Sequence, residues 1–329
     1  MGRRRHRRGR GLLTGRRLVA LLIPLLIAAY AIWGPAIRGA LGLEGDSTPP
    51  AKRDALRVVS WNLRNFPGKH QDLELVRSRL AALDADVIAV QEIKEPAALE
   101  ALLPEWELVI SERGGRGHQR VGVFYDPRRV ELLGEAVEHD ALSLGGRVRP
   151  ALSTYVRGRA GGPDFHLVVV HLKAMRDGYD QRSEQWPRLA ALVGELQTTG
   201  PGAPDRDVIV VGDFNTTGPP GGDPGDELRA LGDVLNAVGL RRLATDGCSA
   251  YWDGPRRDAW QEPSLLDLVW ISDLAEAAGG DARARAYGHC ARHRCAAFRS
   301  TDAYPDLDFE KVSDHCPVVI DLALADDDP

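Results

Sequence analysis

Polar side chains stand wherever an apolar run of this chain stops. Asn62 follows LRVVSW, Glu92 follows DVIAVQ and His171 follows FHLVVV; Asp213 and Asn215 lie in VIVVGDFN, Asp267 in SLLDLVW, and Asp314 with His315 just before CPVVIDL. Buried strands should end in turn formers, so carboxylates and imidazoles placed there point to one shared site at the rim of a sheet structure. Carboxylates, carboxamides and a pair of histidines without a thiolate are ligands and proton carriers for a hard divalent cation acting on phosphate. In-line displacement at phosphorus needs a cation for developing negative charge, a base for water and a donor for the leaving oxygen. Taken singly, several residues have plainer readings: Asn62 as a strand-ending turn residue, Asp213-Phe214-Asn215 as an Asx turn, His171 as a hydrogen-bonded core histidine. Asp267 resists such a reading, because it alternates with leucines and an unpaired carboxylate in an apolar strand is costly. It needs a partner, and His315 is the natural candidate.

The elements that must position these residues alternate short apolar runs with amphipathic helices, the mark of a layered α/β or α+β domain. QDLELVRSRLAALD, from Gln71, has leucines and valine at helical spacing, and DELRALGDVLNAVG is a second clear helix. Residues 179–197 read as helical, with Pro187 expected to begin or kink a helix there. WELVISE, QRVGVFYDP, RPALSTYVRG and DFHLVVVHLKA read as strands, and DVIVVGDFN is the clearest buried strand of all. Strand signals run from about Leu56 to Leu324 without a convincing linker, which predicts one large domain over residues 56–325 and a short tail at 326–329.

The whole chain carries a formal net charge of -5, but eight arginines fall within its first 17 residues and leave residues 18–329 at -13. An acidic domain argues against a basic groove for tight, sequence-independent nucleic-acid binding, although arginines at 113, 116, 120, 147, 149, 256 and 257 could still meet phosphate. The N-terminus reads as a basic flank (1–17), an apolar run (18–37) and a polar linker (38–55), the order of an export signal. The run is long enough to span a bilayer, with the positive flank inside and the domain extracytoplasmic. Cleavage after Ala29-Tyr30-Ala31, giving a secreted or periplasmic protein, is the alternative. Either places Cys248, Cys290, Cys295 and Cys316 in a disulfide-permissive compartment. Cys290 and Cys295 are expected to pair with each other or with Cys248, and Cys316, which begins an apolar strand, is expected to be a buried free thiol. A zinc site from His289, Cys290, His293 and Cys295 ranks below a disulfide, because its spacing matches no standard motif.

SWNLRNF, VIAVQEIK, VVVHLK, VVGDFN, LLDLVW and VSDHCPV, all in order, resemble the endonuclease/exonuclease/phosphatase superfamily with its deoxyribonuclease I-like fold. The resemblance implies an α+β four-layer sandwich, α/β/β/α, of two packed and mainly antiparallel sheets flanked by helices. It implies phosphoester hydrolysis with magnesium, or manganese or calcium in its place. Glu92 resembles the principal metal ligand, with Asn62 and Asp314 beside it; Asp213 and Asn215 resemble the pair that orients and activates water. Asp267 resembles the carboxylate that holds His315, and His171 a second phosphate-facing histidine. Arg149, Gln119 and Arg120 resemble positions that contact phosphate or support the histidine, and Lys173 faces the same side as His171 if the strand continues. The expected protein is therefore an exported, membrane-anchored, metal-dependent nuclease acting on DNA or RNA as a monomer. A phosphatase or sphingomyelinase-like phospholipase is the alternative, and a noncatalytic binding module a further one.

Overall fold

The apolar runs are continuous rather than alternating because nearly every central strand is covered on both faces. In β1 (Ala55–Phe66), Leu56 and Val58 turn inward to a core shared with the opposite sheet, while Val59 and Trp61 turn outward to the helices. The same parity holds in β7 (Asp164–His171), where Leu167 and Val169 face in and Val168 and Val170 face out, and in β8 (Val208–Asp213), where Ile209 and Val211 face in and Val208 and Val210 face out. Three apolar layers result, one between the sheets and one under each set of helices, which makes the architecture a four-layer sandwich.

A computed structural model describes residues 47–52, 55–159, 161–199, 206–245, 247–253, 260–272 and 283–324. The leader at 1–37, Arg256, Arg257 and the tail at 326–329 lie outside these residues. The described part of 46–329 belongs to one compact unit. Its first sheet is ordered β13 (Arg285–Ala286), β15 (Val318–Ala323), β1, β2 (Val87–Ile93), β4 (Arg120–Tyr125), β3 (Glu107–Ile110); the second is ordered β5 (Val130–His139), β6 (Ala151–Gly158), β7, β8, β12 (Asp267–Ser272), β9 (Arg241–Arg242). Most pairings are antiparallel, with β1–β2 and β7–β8 parallel. A small third sheet joins β10 (Ala250–Asp253), β11 (Trp260–Ser264) and β14 (Phe298–Arg299).

Helices α1 (Leu73–Ala82) and α2 (Pro96–Glu100) bury Val76, Leu80 and Leu99 against the first sheet. Asp72 caps α1 by accepting from the Leu75 amide at 3.1 Å. Against the second sheet lie α3 (Tyr179–Thr199) and α4 (Pro224–Asn236), through Leu189, Val193, Leu231 and Leu235. Pro187 lies inside α3 rather than at its start. Short helices α5 (His289–His293) and α6 (Leu307–Lys311) complete the described chain.

The cysteines correct one expectation. Cys316 is bridged to Cys290 and Cys248 to Cys295, so none of the four is free. Cys316 is fully buried, as its apolar context implies, but burial there is shared with another sulfur. The bridges also remove the thiolates from the zinc alternative, and His293 Nε2 is bonded to Asp306 at 2.8 Å.

Candidate active site

Strand parity decides which polar residues reach the crevice between the sheets. His171, Asp213 and Asp267 continue the inward rows of β7, β8 and β12, and Asn62 continues the inward row of β1. Glu92 follows the outward-facing Val90 and should point to the helices. Its backbone is left-handed instead, φ +63°, where the β2–β4 register shifts between Val90 and Ile93, and the side chain comes round to the crevice. Arg64 and Asn65 are left-handed as well, and the Asn65 amide donates to Glu92 Oε2 at 2.8 Å. In VVGDFN the glycine is obligatory: Gly212 has φ +138°, and a Cβ there would sit 1.9 Å from the Val170 carbonyl oxygen.

The side chains converge from both sheets. Asn62 Nδ2 is 3.0 Å from Asp213 Oδ2 and 3.3 Å from Glu92 Oε1. His171 Nε2 lies 3.4 Å from Asp213 Oδ2 and 3.8 Å from Glu92 Oε1, and His315 Nε2 approaches Asp213 Oδ2 at 3.9 Å. His315 Nδ1 is 2.8 Å from Asp267 Oδ2, the partner that buried carboxylate requires. The Asn215 amide donates to Asp213 Oδ1 at 2.9 Å, leaving Oδ2 to face both imidazoles, while Asn215 Nδ2 donates to the Leu172 carbonyl at 3.3 Å. Behind His315, Trp61 Nε1 donates to its carbonyl at 3.0 Å, and Ser313 Oγ accepts its amide at 3.1 Å while donating to the Asn62 carbonyl at 2.7 Å.

Other anticipated residues border this cluster and make contacts of their own. Asp314 is 3.3 Å from Arg64 Nε. Gln119 donates to Asn65 Oδ1 at 3.0 Å and so sits behind the Asn65–Glu92 contact, while His171 Nδ1 has no partner among the described residues. Arg149 is buried and donates to the carbonyls of His171, at 3.1 Å, and Leu172, with its charge acting on Asp213 and Glu92. Lys173 Nζ is held by the Ala174 carbonyl at 2.7 Å, and Arg120 is half-buried opposite Ile93. Arg113 pairs with Glu138 and Asp140, both at 2.6 Å, so its charge is already met.

Three residues with no place in the motifs shape the crevice. Arg182 and Glu227 form a fully buried ion pair at 2.6 Å. Arg182 also donates to the carbonyls of Lys173 at 2.9 Å and Met175 at 2.6 Å, and Glu227 accepts the Gly218 amide at 2.7 Å. The pair thereby joins the loop after His171 to the loop after Asn215. Gln185 accepts the Lys173 amide at 3.0 Å and donates to the Leu142 carbonyl at 2.9 Å. Charged or amide residues at buried positions of α3 and α4 were the only signal, and on an amphipathic helix that signal reads as a solvated face.

Electrostatics separate the two histidines. Burial disfavours the charged form of His315, but Asp267 beside it, with Asp213 and Asp314, overrides burial and holds its pKa well above the usual range. Burial, reinforced by Arg149 and His315, pushes His171 well below that range. One imidazole is a donor and the other neutral near pH 7, the division of labour that acid–base chemistry uses. Burial raises the Asp213 carboxyl; His315 opposes the rise, and Asp267 and Glu92 add to it. The Asp213 and Glu92 carboxylates, with no sulfur beside them, suit a hard divalent cation; Asn62 Oδ1 accepts the Arg64 amide at 2.9 Å, so Asn62 would have to turn its amide to add an oxygen.

The Endonuclease/Exonuclease/phosphatase family model matches residues 59–315. The chain belongs to that family. Its members are phosphoester hydrolases that generally use divalent metal ions. A 5'-tyrosyl-DNA phosphodiesterase from Caenorhabditis briggsae is 22% identical over 176 residues, 52% of this chain and 48% of that protein, so the match spans about half the relative's length. Among solved structures, humanized TDP2 of D. rerio aligns over 82% of this chain and 99% of its own at 18% identity and a TM-score of 0.56. The human Nocturnin catalytic domain, with a bound sulfate anion, aligns over 84% and 96% at 16% identity and 0.57. A mannosyl-6-phosphatase from Bacteroides thetaiotaomicron aligns over 80% and 98% at 18% identity and 0.54. These likenesses establish the two-sheet fold that the sequence resemblance implied.

Proposed function

We propose that this protein is an extracytoplasmic, magnesium-dependent phosphodiesterase acting on nucleic acid. The observation that carries the chemistry is Asp213 Oδ2 facing His171 and His315 across the sheet crevice while Asp267 fixes His315 from behind. In this reading Glu92, Asn62 and Asp314 would hold the cation, with Arg64 yielding Asp314. When bound there, the cation would supply positive charge against the charge that develops on phosphate. Asp213 Oδ2 takes the proton of the attacking water, oriented through Asn215. His315 Nε2 donates to a non-bridging phosphoryl oxygen, and Asp267 fixes its tautomer. His171, neutral and wedged beside Asp213, aligns that carboxylate and the phosphate.

A nucleic-acid diester is supported by the relative that acts, by its name, on tyrosyl-DNA, and by a D. rerio TDP2 structure containing a single-strand DNA product at 16% identity and a TM-score of 0.56. Export, either anchored through residues 18–37 or after cleavage, is supported by the basic and apolar leader and by the use of all four cysteines in disulfides. Among the described residues no helix is long and apolar enough to cross a membrane. A phosphomonoesterase is the second reading, favoured by the mannosyl-6-phosphatase neighbour and by an acidic domain poorly suited to long polyanions. The deciding experiment offers the full chain single-stranded DNA, duplex DNA, RNA, sphingomyelin and a sugar phosphate with magnesium. Release of nucleotides or oligonucleotides supports the proposal; phosphate release from the sugar phosphate alone supports the second reading instead.

A further inference from the structure

Both disulfides end on residues that flank the His315–Asp267 pair. Cys316 directly follows His315, and Cys248 directly precedes Ser249, whose Oγ accepts the amides of Asp267 at 2.8 Å and Leu266 at 3.0 Å. The two stretches are laced together. Cys316 N donates to the Ser249 carbonyl at 2.8 Å, Tyr251 N to the Asp314 carbonyl at 2.9 Å, and Ala250 bridges His315. The other sulfurs, Cys290 and Cys295, belong to one short piece of chain, α5 and the turn after it, closed by a Cys295 amide to Cys290 carbonyl bond of 3.1 Å. Cys290 and Cys316 are fully buried, and the Cys290 amide and His289 Nε2 approach Cys316 Sγ at 3.1 Å and 3.3 Å. His289 and His315 line the same small cavity with Trp61 and Pro317, so the start of α5 borders the stretch that carries the imidazole.

We propose that these two bridges are positioning elements of the hydrolytic site, which hold His315 and Asp267 in register from a common anchor, so that dithiol reduction turns the enzyme down. The proposal rests on the His315–Asp267 role given above. A bridge that served only as a staple for the unfolded chain could lie anywhere on the surface. Here each bridge instead terminates one residue from a segment that sets a 2.8 Å hydrogen bond, and a displacement of about 1 Å would break such a bond. In the reductive step a dithiol such as dithiothreitol attacks the Cys248–Cys295 bond first, at the half-buried Cys295 sulfur, and then the Cys290–Cys316 bond as the anchor loosens, giving two electrons and two protons to each. Two thiols form at each bridge, and each reductant molecule closes to its cyclic disulfide.

The test compares the oxidised full chain with the Cys290→Ser/Cys316→Ser variant, in kcat, KM and the downfield proton NMR signal of His315 Nδ1–H. A control variant, Leu196→Ala, thins the core near His166, at the far end of β7 from His171, and lowers stability without touching the site. We expect kcat to fall at least tenfold with KM little changed, and the downfield signal to broaden or vanish, at temperatures where both variants are fully folded. The control should keep its kcat and signal. Retention of kcat and signal by the folded cysteine variant overturns the proposal, as does an equal loss in the control. Should the variant fail to fold, dithiothreitol treatment of the folded parent, read by the same signal, decides. Should the parent hydrolyse no phosphodiester, the signal alone tests the positioning and the failure falls on the proposed substrate.

Discussion

At the scale of single residues, His315 and Asp267 behave as one group: a buried imidazole held charged by a buried carboxylate, with Asp267 Oδ1 left without a partner among the described residues. His315→Ala and Asp267→Asn should each lower kcat by roughly a hundredfold to a thousandfold. The double variant should lose little more, since residues that act as a unit are non-additive. Steady-state kinetics on the three variants check this, and fully multiplicative losses would break the pairing. Asn62, His171, Asp213 and Asp267 were legible because each stands at the end of an apolar run whose inward row it continues. Glu92 was legible as the polar end of an apolar run but its direction was not, since strict alternation would send it to the helices and only its left-handed backbone brings it back. Gln119 shows the opposite limit: sequence placed it near His171, and the left-handed turn at Arg64 and Asn65 gives it Asn65 as a partner.

At the scale of elements, runs of valine and isoleucine declared the doubly covered strands, whereas β5 went unread. Its sequence VELLGEAVEH is half-exposed and breaks register between Leu133 and Val137, with Gly134 at φ +76° inside the break. The loops behind the crevice were illegible for a related reason. Arg182 and Glu227 lie on helices whose pattern announces a wet face, yet both are fully buried and bind the loops after His171 and Asn215. Removing one partner should cost far more than removing both, because the survivor is left charged and dry. Arg182→Met is expected to destabilise the protein by about 3–5 kcal/mol. Arg182→Met combined with Glu227→Leu should recover a substantial part of that. Urea unfolding of the variants checks it; a double variant less stable than Arg182→Met would show that the pair acts through something other than charge burial.

At the scale of the whole molecule, the basic leader, the apolar run and two disulfides all fit a domain that works outside the cytoplasm. Protease added to intact cells should release an active fragment beginning near Arg53, and carbonate washing should leave the untreated protein in membranes. A soluble mature chain beginning near Ile32 would replace the anchor with a cleaved signal, and protection until the inner membrane is broken would contradict both. The central claim, that the crevice between the sheets is a divalent-cation site for phosphodiester hydrolysis, is tested most directly by titrating magnesium into the full chain and its Glu92→Gln variant while following hydrolysis of bis-nitrophenyl phosphate. Turnover should rise saturably with magnesium in the parent, vanish with EDTA, and stay below about a hundredth of the parent rate in a variant whose fold is intact. Undiminished turnover in EDTA, or a Glu92→Gln variant that responds to magnesium as the parent does, would contradict it.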